Sequence, residues 1–184
     1  GSYTYTLNNN SGQIQQLGHD GKLADAFTVT VTDGNLTATQ TLTINIGGTN
    51  DRPTISVASG DSAAADVIEG SIVPSAHIPE ATGTLTFSDI DLGDQTTVTK
   101  LANDTTNFTI SGKMDGLIST RAELYNMLTL TDTIFTTASG TSSHQLTWTF
   151  ESGDERFNYL KEGETLTLTY KVQAKDDSGI AAND

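Results

Sequence analysis

The 184-residue sequence contains no cysteine, only three prolines and only nine lysine or arginine residues. Without cysteine the chain cannot form disulfides, use a thiol as a nucleophile or bind zinc through thiolates. No stretch approaches the roughly 18 consecutive apolar residues of a membrane-spanning helix. Residues 1–4 also lack the basic and apolar regions of a secretory signal peptide.

The shortage of basic residues leaves the chain acidic, with 23 Asp or Glu residues and a formal net charge of −14 at pH 7. Nucleic acid and anionic membrane surfaces would be repelled on average, so we expect neither as a partner. Such an acidic excess is typical of a solvated surface or of carboxylates neutralised by divalent cations. Apolar residues recur in periodic runs, which indicates a folded chain rather than a disordered one.

Apolar residues alternate with threonine along five segments, a pattern typical of half-buried antiparallel strands. The segments are 27–32, 41–46, 84–87, 146–150 and 166–172. Turns rich in glycine and aspartate separate them, so the sequence predicts an all-β fold.

At most one short helix is expected, near residues 120–128. Thr120 and Glu123 fit a capping box, and Leu124, Met127 and Leu128 then lie on one side of a helix. A packed loop is the alternative interpretation of this segment.

The chain also matches itself, because residues 3–33 align without a gap with residues 146–176. The aligned apolar pairs include Leu23 with Leu166, Phe27 with Tyr170, Val29 with Val172 and Val31 with Ala174. This match predicts tandem β-domains. Residues 1–50 would be the C-terminal half of one domain, 51–53 a linker, and 54–184 a second domain that lacks its last strand.

A β-sandwich without its closing strand has an unpaired edge. The predicted strand at 37–46 is our candidate to fill it, either within the same chain or by strand exchange with another copy. The alternative is that the half-domain at residues 1–50 is loose.

Residues 34–53 read G-N-L-T-A-T-Q-T-L-T-I-N-I-G-G-T-N-D-R-P, after Y-T-Y-T-L-N-N and A-F-T-V-T-V-T-D-G. With Glu69, G-T-L-T-F at 83–87 and D-I-D-L-G-D at 89–94, they resemble the VCBS or cadherin-like repeats of large bacterial RTX adhesins. The resemblance covers nearly the whole chain but is weak at 97–143. It implies an antiparallel Greek-key β-sandwich of the cadherin or immunoglobulin type, with neighbouring repeats of the same chain as partners.

The family resemblance implies an extracellular, non-enzymatic module at the bacterial cell surface, acting as a spacer or presenting domain in cell adhesion or biofilm formation. Such proteins leave the cell by type I secretion, which reads a C-terminal signal. The expected lack of an N-terminal signal peptide is therefore compatible with secretion.

Three aspartates, Asp89, Asp91 and Asp94, lie within six positions and repel one another unless a cation lies between them. Carboxylate oxygens at this spacing suit Ca²⁺, which accepts about 6–8 oxygen ligands, better than Mg²⁺. Gly93 would allow the turn to close. The stretch is not an EF-hand, because its glycine comes too early and no glutamate follows at the twelfth position. A solvated Asx turn is the alternative.

A second group of Ca²⁺ ligands is predicted at Asn50 and Asp51, just before the rigid Pro53. We expect Asp33 and Glu69 to converge on this group. Because cadherin-like repeats share interdomain Ca²⁺, the resemblance implies that Asp176 and Asp177 are the corresponding ligands toward a further domain. Ordinary surface charge is the alternative for each of these residues.

Other candidate sites have weaker support. The three histidines have no partner at metal-ligand spacing, so each is interpreted as an isolated surface residue: His19, His77 and His144. Nothing marks Glu162 and Glu164 as a glycosidase pair. Trp148 and Phe150 lie on the apolar face of an alternating strand, which favours the core over a sugar-stacking platform.

The leading hypothesis is therefore a calcium-stabilised β-sandwich module of a secreted adhesin. The alternative is a glycan- or peptide-binding module with its site in the 97–143 region. A third class is the accessory domain of a secreted hydrolase.

Overall fold

The computed structural model describes residues 2–69 and 78–177, and the backbone of residues 181–183. It contains two short helices, α1 (Gly12–Gln15) and α2 (Arg121–Asn126). The strands are β1 (Lys22–Thr32), β2 (Thr37–Gly47), β3 (Thr54–Ser56), β4 (Glu80–Ser88), β5 (Gln95–Lys100), β6 (Phe108–Gly112), β7 (Leu128–Thr131), β8 (Ile134–Thr136), β9 (Ser143–Glu151), β10 (Leu166–Tyr170), β11 (Val172–Asp176) and β12 (Ala181–Asn183). The predicted all-β class is confirmed.

Two antiparallel sheets supply the main core, in an arrangement consistent with a β-sandwich. One sheet has the order β3-β4-β9-β7, and the other has the order β12-β11-β5-β8. Only Lys171 separates β11 from β10, which pairs with β6, so the β10–β6 pair follows directly on the second sheet. Every ladder is antiparallel, as the alternation of threonine with apolar residues predicts.

The core forms where the apolar faces of these sheets meet. Its buried residues are Leu85, Phe87, Val98, Leu128, Leu146, Trp148, Val172 and Ala174. Trp148 is only 8% exposed and Phe150 packs against the same cluster, which confirms their assignment to the core.

The long 97–143 region extends the sandwich with a second apolar cluster. Phe108 of β6, Leu124 and Met127 around α2, and Phe157 are buried together. Lys100 lies nearby and donates hydrogen bonds to the carbonyls of two residues in this region, both at 2.6 Å. Much of the region therefore has a packing role.

The capping-box prediction for α2 is confirmed. The Thr120 hydroxyl accepts from the Glu123 amide at 3.3 Å, while the Glu123 carboxylate accepts from the Thr120 amide at 2.7 Å. Leu124 is fully buried on the inner side of the helix. The expectation of at most one helix is wrong, because α1 forms a single turn after Ser11.

Residues 2–50 contain α1 and a hairpin of two 11-residue strands, β1 and β2. Among the described strands β2 pairs only with β1, so completion of the second domain by β2 of the same chain is wrong. Residues 3–7 are not a strand, although they align with residues in β9, because no described strand pairs with their backbone. The short strand β12 lies at the edge of β11.

A membrane-spanning helix is not found in the described part of the chain.

Candidate metal centre

The aspartate-rich turn predicted as a calcium site connects β4 to β5, and it is firmly held. Gly93 adopts a φ of 90°, a left-handed conformation that favours glycine. Its amide donates to the Thr137 carbonyl at 2.9 Å, and the Thr137 amide donates to the Asp94 carbonyl at 3.0 Å. These bonds fix the backbone that carries the three aspartates.

Three carboxylates around this turn are almost fully buried. Asp91 is 0% exposed, and Asp89 and Asp176 are each 3% exposed. Aspartate is rarely buried unless a charge or several donors compensate it, because the ionised form loses its hydration. Burial of three such groups in one place is the unusual feature of this structure.

Neutral donors satisfy part of this buried charge. Asp91 Oδ2 accepts from the Asp51 amide at 2.6 Å, and Asp89 Oδ2 accepts from the Thr96 hydroxyl at 3.2 Å. Asp176 Oδ2 accepts from the side-chain amide of Asn50 at 2.9 Å. The predicted ligand groups at 50–51 and 89–94 therefore meet at one site.

Two buried oxygens at the site have no hydrogen-bond partner among the described residues. They are Oδ1 of Asp91 and Oδ1 of Asn50. A buried acceptor without a donor costs about 1–3 kcal/mol, and more when it is charged. Both are hard oxygen atoms of the kind that Ca²⁺ prefers, so the residues present fit that ion.

The carboxyl groups destabilise one another's ionised forms. Burial, and then the negative charges of Asp177, Asp91, Asp89 and Asp176, raise the pKa of Asp94 to about 6. Burial is also the main cause that raises the pKa of Asp91, followed among charges by those of Asp51, Asp89 and Asp176. We call the six residues that interact in this way the aspartate cluster: Asp51, Asp89, Asp91, Asp94, Asp176 and Asp177.

Residues near the N-terminus close one side of the aspartate cluster, and no local sequence pattern predicts this contact. The Leu92 amide donates to the Gln16 carbonyl at 3.0 Å. Gly18 is buried so close to the turn that a Cβ there would lie 3.2 Å from Asp91 Cβ and 3.3 Å from Asp94 Oδ1. The cluster therefore lies where residues 1–50 contact the sandwich.

The acidic side chains do not converge on a single point. In the described ranges, no group of three or more histidine, aspartate or glutamate side chains is arranged to hold a metal ion as it stands. Coordination by three or more of these residues would thus require side-chain rotation. Asp51 and Asp177 are exposed and Asp94 is half-buried, so they have room to rotate.

Asp176 occupies a different place from the one the resemblance implied. It was expected, with Asp177, to bind toward a further domain. Instead its carboxylate accepts from Asn50 and acts on Asp89, Asp91 and Asp94. The physical reason is the pairing of β11 with β5, which brings the end of β11 beside the turn.

Asp33 does not reach the site, contrary to expectation. It lies at the closed end of the hairpin, where its carboxylate accepts from the Asn35 and Leu36 amides. Gly47 lies at the other end of the 11-residue strands. At about 3.3 Å per residue, roughly 30 Å separates Asp33 from the aspartate cluster.

Glu69 does not converge on Asn50 and Asp51 either, contrary to expectation. It is exposed and borders a cleft of about 610 Å³ beside β10, here called the β10 cleft. Core residues such as Leu85 and Trp148 line its floor. Only Leu128 and Leu130 come from the 97–143 region, so this cleft is not the ligand site of the alternative hypothesis.

Two other polar groups turn out to be structural. Glu155, which the sequence did not single out, is 4% exposed and accepts from the amides of Ile118, Ser119 and Phe157. His144 is half-buried and stacks on Phe135, so its assignment as an isolated surface residue is wrong.

The other two histidines add no metal ligand to this picture. His19 is exposed, as expected, and His77 lies outside the described residues.

Comparison of the chain with protein-family models, curated proteins and solved structures gives no match.

Proposed function

We propose that this chain is a calcium-stabilised extracellular β-sandwich module of a bacterial surface adhesin, acting as a spacer or presenting domain. The observation that carries the proposal is the aspartate cluster, in which three carboxylates are buried together and Asp91 Oδ1 has no partner among the described residues. A cluster of this kind is stable only when a cation or protons neutralise it.

Calcium would be held by oxygens of the aspartate cluster and by Asn50. Asp91 Oδ1 and Asn50 Oδ1 are the first candidates, because each is buried without a donor among the described residues. The ion supplies positive charge and accepts about 6–8 oxygens without demanding a strict geometry. The Asp51 amide already joins residues 50–51 to the turn between β4 and β5 by donating to Asp91, and the Asn50 side chain joins them to the end of β11 by donating to Asp176.

The proposed mechanism is mechanical. Ca²⁺ at this position would link the segment after β2, the β4–β5 turn and the end of β11. Extracellular calcium modules typically bind with a Kd of about 10⁻⁴–10⁻³ M. A single site at ten times its Kd would stabilise the folded state by about 1.4 kcal/mol. The module would therefore be rigid outside a cell and weaker where Ca²⁺ is scarce.

Thermal unfolding with EDTA and then with millimolar Ca²⁺ tests the metal site. We expect Ca²⁺ to raise the melting temperature of the wild type, and Asp91→Asn to lose most of that rise. Asp154→Asn is the matched control, because Asp154 is exposed in a turn outside the cluster. A wild-type melting temperature that does not change with Ca²⁺ would contradict the proposal.

Single-molecule extension tests the spacer role. The chain would be stretched between flanking handle domains in EDTA and in Ca²⁺, with Asp91→Asn measured beside it. We expect Ca²⁺ to raise the unfolding force of the wild type and leave that of the variant nearly unchanged. Equal forces for the wild type in both buffers would argue against a calcium-stiffened spacer.

A further inference from the structure

The β10 cleft lies along an open strand edge. β10 pairs with β6 and with no other described strand. One wall of the cleft is β10 itself, residues 63–69 border the cleft, and its floor includes Leu85 and Trp148 from the core. The cleft therefore lies where a further strand could pair with β10.

The hydrogen-bonding phase of β10 shows that its edge can accept a strand. Thr165, just before β10, bonds toward β6, because its carbonyl accepts from the Lys113 amide at 2.8 Å. Backbone groups alternate in direction along a strand. Those of the residues in the opposite phase therefore face the cleft, namely Leu166, Leu168 and Tyr170. These are also the residues whose side chains pack against the second apolar cluster.

The chain itself contains a strand pair with the same phase. Just before β1, the Gly21 carbonyl accepts from the Gly48 amide, so the backbone groups of Gly21 point toward the strand of β2. Leu23 and Phe27 lie an even number of residues after Gly21, so their backbone groups also point toward β2. In a chain of L-residues the direction of a side chain fixes the direction of its own N–H and C=O. The open edge of β10 therefore corresponds to the edge of β1 that binds β2.

The register of the hairpin predicts how β2 would pair with β10. In β1, Leu23 pairs with Ile46, Asp25 with Ile44 and Phe27 with Leu42. The sequence alignment of β1 with β10 then places Ile46 opposite Leu166, Ile44 opposite Leu168 and Leu42 opposite Tyr170.

β10 is the better-matched partner for β2. Within its own hairpin Ile44 faces Asp25, whose carboxylate accepts a hydrogen bond from Tyr5, whereas Leu168 is apolar.

The apolar face of the hairpin is unevenly covered, since Phe27 is 43% exposed whereas Ile46 is only 9% exposed. A two-stranded sheet alone is marginally stable. Release of β2 therefore costs mainly its pairing with β1 and the burial of Ile46.

We propose that the β10 cleft accepts β2 of a second copy of this chain, antiparallel to β10, with residues 42–46 opposite residues 166–170. β12 already lies antiparallel to β11, with Ala182 opposite Ala174, the place that Ala38 would take in the same register. Only residues 42–46 of the incoming strand therefore pair, and residues 37–41 turn away from β11. The incoming strand would lengthen that edge toward β10 and insert alternate apolar side chains into the cleft. This inference does not depend on the metal site.

Disulfide trapping between copies tests the proposed register. Thr43 and Thr169 are exposed and would lie opposite each other, and the chain has no cysteine of its own. Thr43→Cys and Thr169→Cys proteins, mixed under mild oxidation, should give a covalent heterodimer. Thr28→Cys mixed with Thr169→Cys is the control, because Thr28 is exposed on β1 of the same hairpin. We expect severalfold more heterodimer for the first mixture, and equal yields would overturn the proposal.

A peptide of residues 37–47 gives a second measurement. Trp148 is the single tryptophan and lines the β10 cleft, so its fluorescence reports occupancy. The peptide should shift this emission saturably, while a scrambled peptide should not. Ala64→Phe, which adds a ring to the wall of the cleft, should abolish the shift. No shift with the wild type would overturn the acceptor role, and a shift without trapping in trans would overturn the second copy as donor.

Discussion

The backbone amide of Asp51 donates a 2.6 Å hydrogen bond to Oδ2 of Asp91, which lies 40 residues further along the chain. This bond fixes the segment after β2 against the turn between β4 and β5. It also leaves the other oxygen of the same carboxylate buried without a partner in the described part of the chain. One side chain thus joins two parts of the molecule and also carries the buried oxygen that our proposal assigns to Ca²⁺.

Replacing Asp94 by asparagine should have opposite effects with and without calcium. In EDTA we expect Asp94→Asn to raise the melting temperature, because it removes one of several mutually repelling charges. In millimolar Ca²⁺ we expect the variant to gain less than the wild type, because a carboxylate ligand is lost. Thermal unfolding in the two buffers measures both effects. A variant less stable than the wild type in EDTA would contradict the first expectation.

Gly83 should be hard to replace because Trp148 lies directly above it. A Cβ at this position would come within 2.5 Å of the indole ring. We expect Gly83→Ala to cost about 1–3 kcal/mol, the usual range for overpacking a core. The cost and the environment of Trp148 can be followed by denaturant unfolding and fluorescence. Gly47→Ala is the matched control, because a Cβ at Gly47 meets no atom within 4 Å. Equal stability of the two variants would show that Trp148 moves away freely.

Glu155→Gln should destabilise the fold although it keeps the size of the side chain. The carboxylate accepts from three backbone amides at 3.0–3.1 Å, and an amide group would present N–H to at least one of those donors. A lost hydrogen bond to a buried charged group costs about 1.5–3 kcal/mol. In a chain of this length 1 kcal/mol corresponds to about 2–4 °C in melting temperature. Glu151→Gln, at an exposed residue, should change little.

The sequence predicts those parts of the fold that depend on local patterns. Alternation of threonine with apolar residues located strands such as β1 and β9, because one face of each strand must be buried. The capping box located α2, since Thr120 and Glu123 act within one helical turn. The density of acidic residues likewise indicates Asp89, Asp91 and Asp94 as a candidate site.

The sequence did not predict which residues lie together when they are far apart in the chain. Asp33 and Asp176 occupy aligned positions, yet only Asp176 enters the aspartate cluster, because β11 pairs with β5 while β1 has only β2 beside it among the described strands. Glu69 and Gly18 show the same limit. Their positions depend on contacts across the chain that no local pattern encodes.

Metal-free protein should become more stable as the pH falls from about 7 to about 5. The pKa of Asp94 is raised to about 6 from its ordinary value, and burial raises the pKa of Asp89 and Asp91 in the same direction. The folded state therefore binds more protons than the unfolded state in this window, so protonation favours folding. Melting temperatures of dialysed, metal-free protein across this range measure the effect, and Asp94→Asn should reduce it.

Below about pH 4 the metal-free protein should instead become less stable as the pH falls. Hydrogen bonds from the hydroxyls of Thr84 and Thr86 lower the pKa of Asp61 to about 2. Its contribution is therefore present above its ordinary pKa and lost as the pH falls from about 4 to about 2. Asp61→Asn should be less stable than the wild type at pH 5, and the difference should shrink by pH 2.

At the proposed metal site Ca²⁺ would compete with protons for the aspartate cluster. Millimolar Ca²⁺ should therefore flatten the rise in stability between pH 7 and 5 and leave the loss of stability below pH 4. A rise unchanged by Ca²⁺ would mean that protons alone neutralise the cluster.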